Sequence, residues 1–259
     1  MSERILPFEA VENFRDYGDY ALGGGGWLAR GRLYRSAHHG RATEADLERL
    51  AALNLAVIVD LRRPEERRRD PCRRPQAFGA RVIETDIGGG GEAPHLKFLR
   101  TEALTPESGH AFMLGEYRRL PLAPEHVDLF GRYFQALADT DGPVLIHCAA
   151  GKDRTGLLAA LTHRMLGAHP DDVMADYLLT NQARAIDTWV GYIAEHVERE
   201  FGTRPTDEAV RSFLSVHPAW LESAFAAIEE RFGGVDAYLQ QALGVDAAAR
   251  ERIRQRIAA

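Results

Sequence analysis

The stretch that decides the fold lies at residues 144–156 and reads VLIHCAAGKDRTG. Residues 143–147 form a short apolar run, which predicts a strand buried on both faces. After the loop, apolar residues recur at helical spacing, which predicts a helix that begins near Thr155. Its inner face would carry Leu157, Leu158, Leu161 and Met165. A buried strand therefore delivers a short loop to the start of a helix.

The loop between this strand and this helix is suited to bind an anion. Amide N–H groups at a helix start have no partner within the helix, and the helix dipole adds positive potential there. A chain curled around a phosphate would point successive N–H groups at its oxygens, as in an anion-binding nest. Gly151 permits the tight curvature. We therefore expect the backbone of Ala149, Ala150, Gly151 and Lys152 to bind substrate.

Cys148 and Arg154 carry the chemistry that such a loop can perform. A free thiol has a pKa of about 8.5, which a helix N-terminus and nearby cations can lower by several units. The resulting thiolate would attack phosphorus and form a phosphocysteine intermediate. Arg154 would bind two phosphoryl oxygens as charge develops on them. Thr155 is expected to hydrogen-bond the sulfur, and the His147 imidazole is expected to order the loop backbone.

Working outward, strands alternate with helices and then give way to helices alone. Strands are predicted at 55–60 and 81–86, and helices at 43–53 and 124–138, from their apolar periods. After Arg154 the apolar stripes are helical throughout. This order predicts an α/β fold with a small central sheet flanked by helices and a helical C-terminal half. We expect one domain over residues 1–259, in which residues 88–119 could form an inserted lid.

Composition limits the classes of function and the compartment. A hydrophobic fraction of 45% and a charged fraction of 27% exclude a disordered chain, and a net charge of -6 argues against nucleic-acid binding. Two cysteines in unlike contexts indicate a reducing compartment without a disulfide. Residues 1–11 resemble neither a signal peptide nor a membrane span. We expect a cytoplasmic protein without stable membrane insertion, although export without a cleaved signal stays open, as does the oligomeric state.

Several other residues receive a structural interpretation. The arginine-rich stretch 62–74 is interpreted as a solvated helix face with internal ion pairs, and Cys72 within it as an ordinary packed thiol. Arg15 and Asp16 are expected to pair with each other. His38, His39 and His163 lack the spacing of metal ligands, and no metal or other cofactor is expected.

Residues 148–154 match the Cys-x5-Arg signature loop of the protein tyrosine phosphatase superfamily, including the preceding His147 and the following Thr155. The likeness extends over most of the chain. It is carried by NFRD (13–16), RLYRS (32–36), VDLR (59–62), EY (116–117) and ADY (175–177). These segments resemble the bacterial tyrosine/serine phosphatases typified by mycobacterial protein tyrosine phosphatase B.

The resemblance implies a fold, an activity and a substrate range. The fold is a core like that of dual-specificity phosphatases, with a helical lid over the site. The activity is hydrolysis of phosphotyrosine and other phosphomonoesters without a metal, so the partners would be phosphorylated proteins. The sequence AGKDR (150–154) is also similar to lipid phosphatases that act on phosphoinositides, and Lys152 would there add a second cation for the head group.

The leaving-group oxygen needs a proton, so we expect a general acid. Asp153 lies inside the loop, and the resemblance favours it. Asp86 closes a predicted strand, where related phosphatases carry a mobile acid loop, but the Trp-Pro-Asp form of that loop is missing here. Both aspartates stay open as candidates.

Three rival functions fit the sequence less well. Sulfurtransferases of the rhodanese type also place a cysteine at a helix start, but their loop is one residue shorter. A Walker A loop would need Gly in place of Ile146 and Ser or Thr in place of Asp153. A catalytically weak phosphate-binding module would commonly lose Cys148 or Arg154, and both are present.

Overall fold

The computed structural model describes residues 4–259. Residues 1–3, which open both the 1–11 segment and the expected 1–259 domain, lie outside the described residues. The described chain contains a five-stranded sheet in the order β1-β2-β5-β3-β4. Its strands are β1 Arg15–Asp16, β2 Leu33–Ser36, β3 Val57–Asp60, β4 Arg81–Ile83 and β5 Val144–His147.

Strand β5 lies at the centre of the sheet and is buried along its whole length. It runs parallel to both neighbours, β2 and β3, whereas β1 pairs antiparallel to β2. The register sets His147 opposite Ser36 on one side and opposite Asp60 on the other. Because parallel strands end at the same edge of a sheet, the segments that follow these three strands meet there.

Apolar side chains of β5 alternate between two cores, as expected for a strand covered on both faces. Val144 and Ile146 join the larger core with the helices that follow the loop, and Leu145 joins a smaller core against the first helix. Burial of each such side chain contributes about 1.5–3 kcal/mol. The central strand is thereby packed on both faces, independently of the contacts of the loop.

Helices cover both faces of the sheet and make up most of the rest of the described chain. They are α1 Glu44–Ala52, α2 Pro64–Arg69, α3 Pro94–Thr101, α4 Pro106–Arg119, α5 Pro124–Asp139, α6 Asp153–Leu166, α7 Pro170–Leu178, α8 Thr180–Ala183, α9 Ile186–Phe201, α10 Asp207–Leu214, α11 Pro218–Phe232, α12 Val235–Gln241 and α13 Ala247–Ile257. A short 3-10 turn at Leu120–Leu122 joins α4 to α5.

The α/β prediction, with a small central sheet and a helical C-terminal half, is confirmed. Two of the predicted strands are shorter than expected, since β3 begins at Val57 and β4 ends at Ile83. Strands β1 and β2 have no counterpart in the predicted pattern. Residues 88–119 hold α3 and α4. Within residues 4–259, no helix has both the length and the apolar character needed to cross a bilayer.

Candidate active site

The loop from Cys148 to Lys152 links β5 to α6, with Lys152 as the residue before the first helical turn. Cys148 is 2% exposed and lies at the base of a cavity of about 260 Å³. The same cavity is lined by Ala149, Ala150, Lys152, Asp153 and Arg154. The structure thus brings most of the residues predicted from the loop into one enclosed space.

Side chains and backbone from outside the loop hold its carbonyl groups in place. The amide of His38 donates to the oxygen of Ala149 at 3.1 Å. The Asn13 Nδ2 atom donates to the oxygen of Gly151 at 2.8 Å and lies 3.3 Å from the preceding carbonyl oxygen. The Arg35 guanidinium also donates to the oxygen of Gly151, at 3.0 Å. Three consecutive carbonyl groups are therefore pinned from outside.

Pinning these carbonyl groups orients the amide groups of the loop. In a trans peptide the C=O of one residue and the N–H of the next point in opposite directions, and the described chain has no cis peptide. Among residues 4–259, none accepts a hydrogen bond from the amide groups of residues 149–153. Unpaired N–H groups at the start of a helix are the donors that an oxyanion requires.

Gly151 has the backbone conformation that this curvature needs. Its φ is +67°, a region that L-residues rarely occupy. A Cβ atom at this position would lie 2.4 Å from the carbonyl oxygen of Ser36, at the end of β2. The loop is therefore packed directly against the neighbouring strand, at a distance that only glycine permits.

Arg154 is held by two fixed acceptors. Its Nη1 atom donates to the Leu61 oxygen at 3.1 Å and to Glu66 Oε2 at 2.6 Å, and its Nη2 atom donates to Glu66 Oε1 at 2.9 Å. A guanidinium has five N–H donors, so these bonds leave the Nε–H and one Nη2–H. Those two donors share the other edge of the planar group and suit bidentate binding of an oxyanion.

The pair of Glu66 and Arg154 stays charged at neutral pH. Burial alone would raise the pKa of Glu66, but the Arg154 guanidinium outweighs it and brings that pKa down to about 2. Burial alone would lower the pKa of the Arg154 guanidinium, but attraction to Glu66, followed by Cys148, outweighs burial and raises that pKa. The ion pair fixes the orientation of Arg154, which remains a cation at the cavity wall.

Asp153 lines the cavity and belongs to a chain of hydroxyl groups. Its Oδ1 atom accepts a hydrogen bond from the Tyr117 hydroxyl at 2.9 Å. The Tyr177 hydroxyl in turn donates to Tyr117 at 2.8 Å. Both tyrosines are fully buried, and burial is the main reason that their pKa values are raised well above 10. Tyr117 therefore acts as a neutral donor that fixes the position of Asp153.

Lys152 faces the end of helix α10. Its Nζ atom donates to the carbonyl oxygens of Phe213 and Ser215 at 2.9 and 3.2 Å, and it lies 3.3 Å from Asp153 Oδ1. A cation is favourable at a helix C-terminus. Burial is the main cause that lowers the pKa of this amine. In this conformation the ammonium group joins the loop to α10.

Three predicted site residues, Asp86, His147 and Thr155, do not line the cavity. Asp86 is exposed, pairs with Arg67 at 2.7 Å and does not line the cavity. The His147 ring is fully buried, makes no hydrogen bond within the described chain and lies 3.7 Å from Asp60. The buried Thr155 hydroxyl also has no partner among the described residues.

A buried ion cluster lies beneath the loop. Arg15 and Arg35 both pair with the carboxylate of Asp176, at 3.1 and 2.7 Å. Burial, followed by repulsion from Arg35, lowers the pKa of Arg15 to about 10. The expected pairing of Arg15 with Asp16 is wrong, because Asp16 instead accepts the backbone N–H groups of residues 18 and 31. Arg15 points inward, away from its neighbour in an alternating strand.

Several residues that contact the loop or its supports were not predicted as site residues. Glu66 was part of a stretch interpreted as solvated, yet it orients Arg154. Asn13, Arg35, Tyr117 and Asp176 lay in the segments that carried the family resemblance, and that resemblance was their only signal. Each reaches the loop or its supports through a contact between residues far apart in the chain.

The upper walls of the cavity come from the helices of residues 88–119 and from α10. His95 from α3, Phe112 and Met113 from α4, and Phe213 from α10 line it. Phe213 also lies in an aromatic cluster with Phe98 and Phe112. The cavity is therefore lined by apolar side chains of these helices as well as by charged groups.

One group of metal-ligand type lies behind the loop. His39, Cys72 and His147 offer ligand atoms that all lie within 4.8 Å of one another. Guanidinium groups contact two of these residues, because Arg62 is 3.1 Å from Cys72 Sγ and Arg74 is 3.0 Å from His39 Nδ1. Two cations at this distance disfavour binding of a metal cation.

A mainly parallel sheet, a cysteine at the start of a loop with unpaired amide groups and an arginine oriented by Glu66 are features of phosphatases with a cysteine signature loop. A profile described as "Tyrosine phosphatase family" matches residues 6–259. The chain belongs to this family of phosphate monoester hydrolases.

Individual relatives agree with this assignment. A Cupriavidus necator protein named as a tyrosine-protein phosphatase is 35% identical over 94% of this chain and 85% of its own length. The triple specificity protein phosphatase PtpB of Mycobacterium tuberculosis is 31% identical over 98% of both chains. A tyrosine-protein phosphatase of Nostoc commune is 30% identical over 86% of this chain and 73% of its own.

Proposed function

We propose that the protein hydrolyses phosphate monoesters through a phosphocysteine at Cys148. The observation that carries this proposal is the loop itself, whose pinned carbonyl groups leave the amide groups of residues 149–153 unpaired around the thiol. These amides would bind the phosphoryl oxygens, and the free edge of Arg154 would bind two of them as charge develops in the transition state.

The reaction proceeds in two displacements at phosphorus. The Cys148 thiolate forms an S–P bond while the bond from phosphorus to the leaving oxygen breaks, and a general acid supplies the proton that this oxygen needs. Water then attacks phosphorus, gives a proton to the same residue and releases inorganic phosphate and the thiolate. The Thr155 hydroxyl, buried and without a partner among the described residues, is available to stabilise the departing sulfur.

We assign the general acid role to Asp153. Asp153 lines the cavity above Cys148 and is oriented by Tyr117, whereas Asp86 lies outside that cavity and pairs with Arg67. A general acid has to reach the atom that it protonates. Location therefore favours Asp153 between the two aspartates.

We further propose that phosphotyrosine is one substrate and that residues 88–119 form a lid over it. Phe112, Met113 and Phe213 offer apolar contact for an aryl ring above the charged base of the cavity. The M. tuberculosis relative is named a triple specificity phosphatase, which supports activity on phosphoserine, phosphothreonine or phosphoinositides as well. Two free cysteines support a reducing compartment, and we extend the proposal to the cytoplasm.

The decisive experiment measures turnover of para-nitrophenyl phosphate by the wild type, Cys148→Ser and Cys72→Ser. The wild type and Cys72→Ser should be active, and Cys148→Ser should be inactive. Rapid acid quenching followed by intact-mass measurement should detect one added phosphoryl group in the wild type and none in Cys148→Ser. Full activity of Cys148→Ser would refute the mechanism, and an inactive wild type would favour a phosphate-binding module.

A substrate panel separates the proposed substrate classes. Phosphotyrosine, phosphoserine and phosphothreonine peptides and a phosphoinositide would be compared in the wild type, Lys152→Ala and Lys97→Ala. Lys97 is an exposed lysine on α3 that does not line the cavity, so it controls for loss of one charge. A selective loss of lipid turnover in Lys152→Ala would assign Lys152 to the head group. An equal loss on all substrates would assign it to the contact with α10.

A further inference from the structure

Cys72 lies in a second groove, separate from the cavity above Cys148. The groove holds about 550 Å³, is rich in arginine and shares no lining residue with the cavity above Cys148. Cys72 is partly exposed there. The arginine-rich stretch that was interpreted as a solvated helix face supplies most of its walls. Its lining residues are Asp60, Arg62, Pro64, Arg67, Arg68, Pro71, Cys72, Arg74, Val82, Glu84 and Asp86.

Donors from two segments contact the Cys72 sulfur. The Arg62 Nη2 atom lies 3.1 Å from Sγ, and the backbone N–H of His39 lies 3.4 Å from it. Arg62 is itself fixed by a bidentate contact with Asp60. Hydrogen bonds and a nearby guanidinium stabilise a thiolate relative to a thiol. The interpretation of Cys72 as an ordinary packed thiol therefore misses its surroundings.

The His147 imidazole adds a buried group beside the sulfur, and it also lies 3.7 Å from the Asp60 carboxylate. It is 0% exposed, and neither ring nitrogen makes a hydrogen bond within residues 4–259. It nevertheless offers a nitrogen within 4.8 Å of Sγ. Burial alone would raise the pKa of Cys72, but His147, followed by Arg62 and Arg74, outweighs burial and lowers that pKa to about 7.

The charge on Arg74 favours an anionic reagent. Asp86 and Glu84 both face Arg67, Glu65 pairs with Arg68, and Asp60 pairs with Arg62. Arg74 contacts His39 Nδ1 and a backbone oxygen, and it has no carboxylate partner among the described residues. Its charge is therefore available to a negatively charged molecule that approaches the sulfur.

We propose that Cys72 is a second nucleophilic thiolate that forms a mixed disulfide with small anionic disulfides. The Cys72 sulfur would attack one sulfur of the reagent, so that a new S–S bond forms as the S–S bond of the reagent breaks. The departing thiolate takes the electron pair and is protonated by solvent. Neither Cys148 nor Arg154 takes part.

The test uses the full chain carrying Cys148→Ser, in which Cys72 is the remaining thiol. Reaction with glutathione disulfide, which is anionic, and with cystamine, which is cationic, would be followed by intact mass at low salt. We expect glutathione disulfide to react about 10-fold faster, because charge steers an ionic reagent. Salt should reduce this preference. Arg74→Gln should reduce it severalfold, whereas Arg252→Gln, at an exposed arginine of α13, should leave it unchanged.

The pH dependence of the same reaction supplies an independent readout. The rate should rise with a midpoint near pH 7 in the folded protein and at about 8.5 in urea, where the thiol has its ordinary pKa. A folded midpoint at or above the unfolded one would overturn the proposal. Lack of any preference for the anionic disulfide would also overturn it. If the reaction appeared only after treatment with a chelator, His39, Cys72 and His147 would instead be a metal site, and the proposal would be wrong.

Discussion

Gly151→Ala should change both the position of the loop and the stability of the protein, and the two effects can be measured separately. The substituted residue would keep φ near +67°, which costs an L-residue about 1–2 kcal/mol. Its Cβ would meet the Ser36 oxygen at 2.4 Å and has to retreat beyond 3.0 Å, and such overpacking costs about 1–3 kcal/mol. Together these effects lower the free energy of unfolding by about 2–5 kcal/mol.

The larger effect should be on catalysis. Relief of the contact displaces the loop by about 0.6 Å, and a misplacement of about 1 Å at a reacting centre costs about 100-fold. We expect kcat/KM for para-nitrophenyl phosphate to fall at least about 10-fold. Urea unfolding measured on the same samples would show that the variant remains folded during the assay.

Gly191→Ala provides the matched control for this change. Gly191 lies in α9 with no heavy atom within 4 Å of an added Cβ. Alanine should therefore stabilise this helix by up to about 1 kcal/mol and leave activity unchanged. If Gly151→Ala kept wild-type activity and stability, the packing of the loop against β2 would not be what orients its amide groups.

Three further substitutions test the supports of the site. In Glu66→Gln the free energy of unfolding at pH 7 should fall by about 3 kcal/mol, because the pKa of the carboxyl is lowered from 4.5 to about 2 in the folded protein. Urea unfolding of the wild type should lose this advantage as the pH falls from 4.5 towards 2, and a constant difference would contradict the ion pair. Asp176→Asn leaves two buried arginines without their carboxylate and should lower the free energy of unfolding by about 3–5 kcal/mol. As a control, Asp187→Asn at an exposed position should change it by less than about 0.5 kcal/mol. Equal effects of the two substitutions in thermal unfolding would argue against a buried cluster. Tyr117→Phe removes one hydrogen bond to Asp153. It should lower kcat about 5-fold and alter the dependence of kcat on pH. An unchanged pH dependence would show that Tyr117 does not influence the general acid.

The parts of the site that were predictable are local in sequence. The strand, the cysteine, the glycine and the arginine lie within residues 144–156, so that one pattern of residue types defines both the loop and its chemistry. Helix α1 was also predicted, from its apolar period. The structure adds a capping box at its start, in which the Thr43 hydroxyl accepts from the Asp46 N–H and the Asp46 carboxylate accepts from the Thr43 N–H.

The supports of the loop could not be read in the same way. Asn13 contacts Gly151 across 138 residues, and Glu66 contacts Arg154 across 88. Strand β1 is two residues long and wholly polar, and β2 has two apolar residues followed by two polar ones, so neither produces an apolar run. A local hydrophobic period does not indicate which distant segments a parallel sheet brings together at one edge.

The buried cluster beneath the loop forms a closed ring of hydrogen bonds that starts and ends at Gly151. Its carbonyl oxygen accepts from Asn13 and from Arg35; Arg15 donates to Asn13 and to Asp176; and Asp176 accepts from Arg35 as well. The ring contains two guanidinium groups and one carboxylate, so it holds a net positive charge away from water. An uncompensated buried charge is unfavourable, and an anion bound in the loop above would offset it. The same arrangement that fixes the direction of the loop amides therefore also favours an anion there.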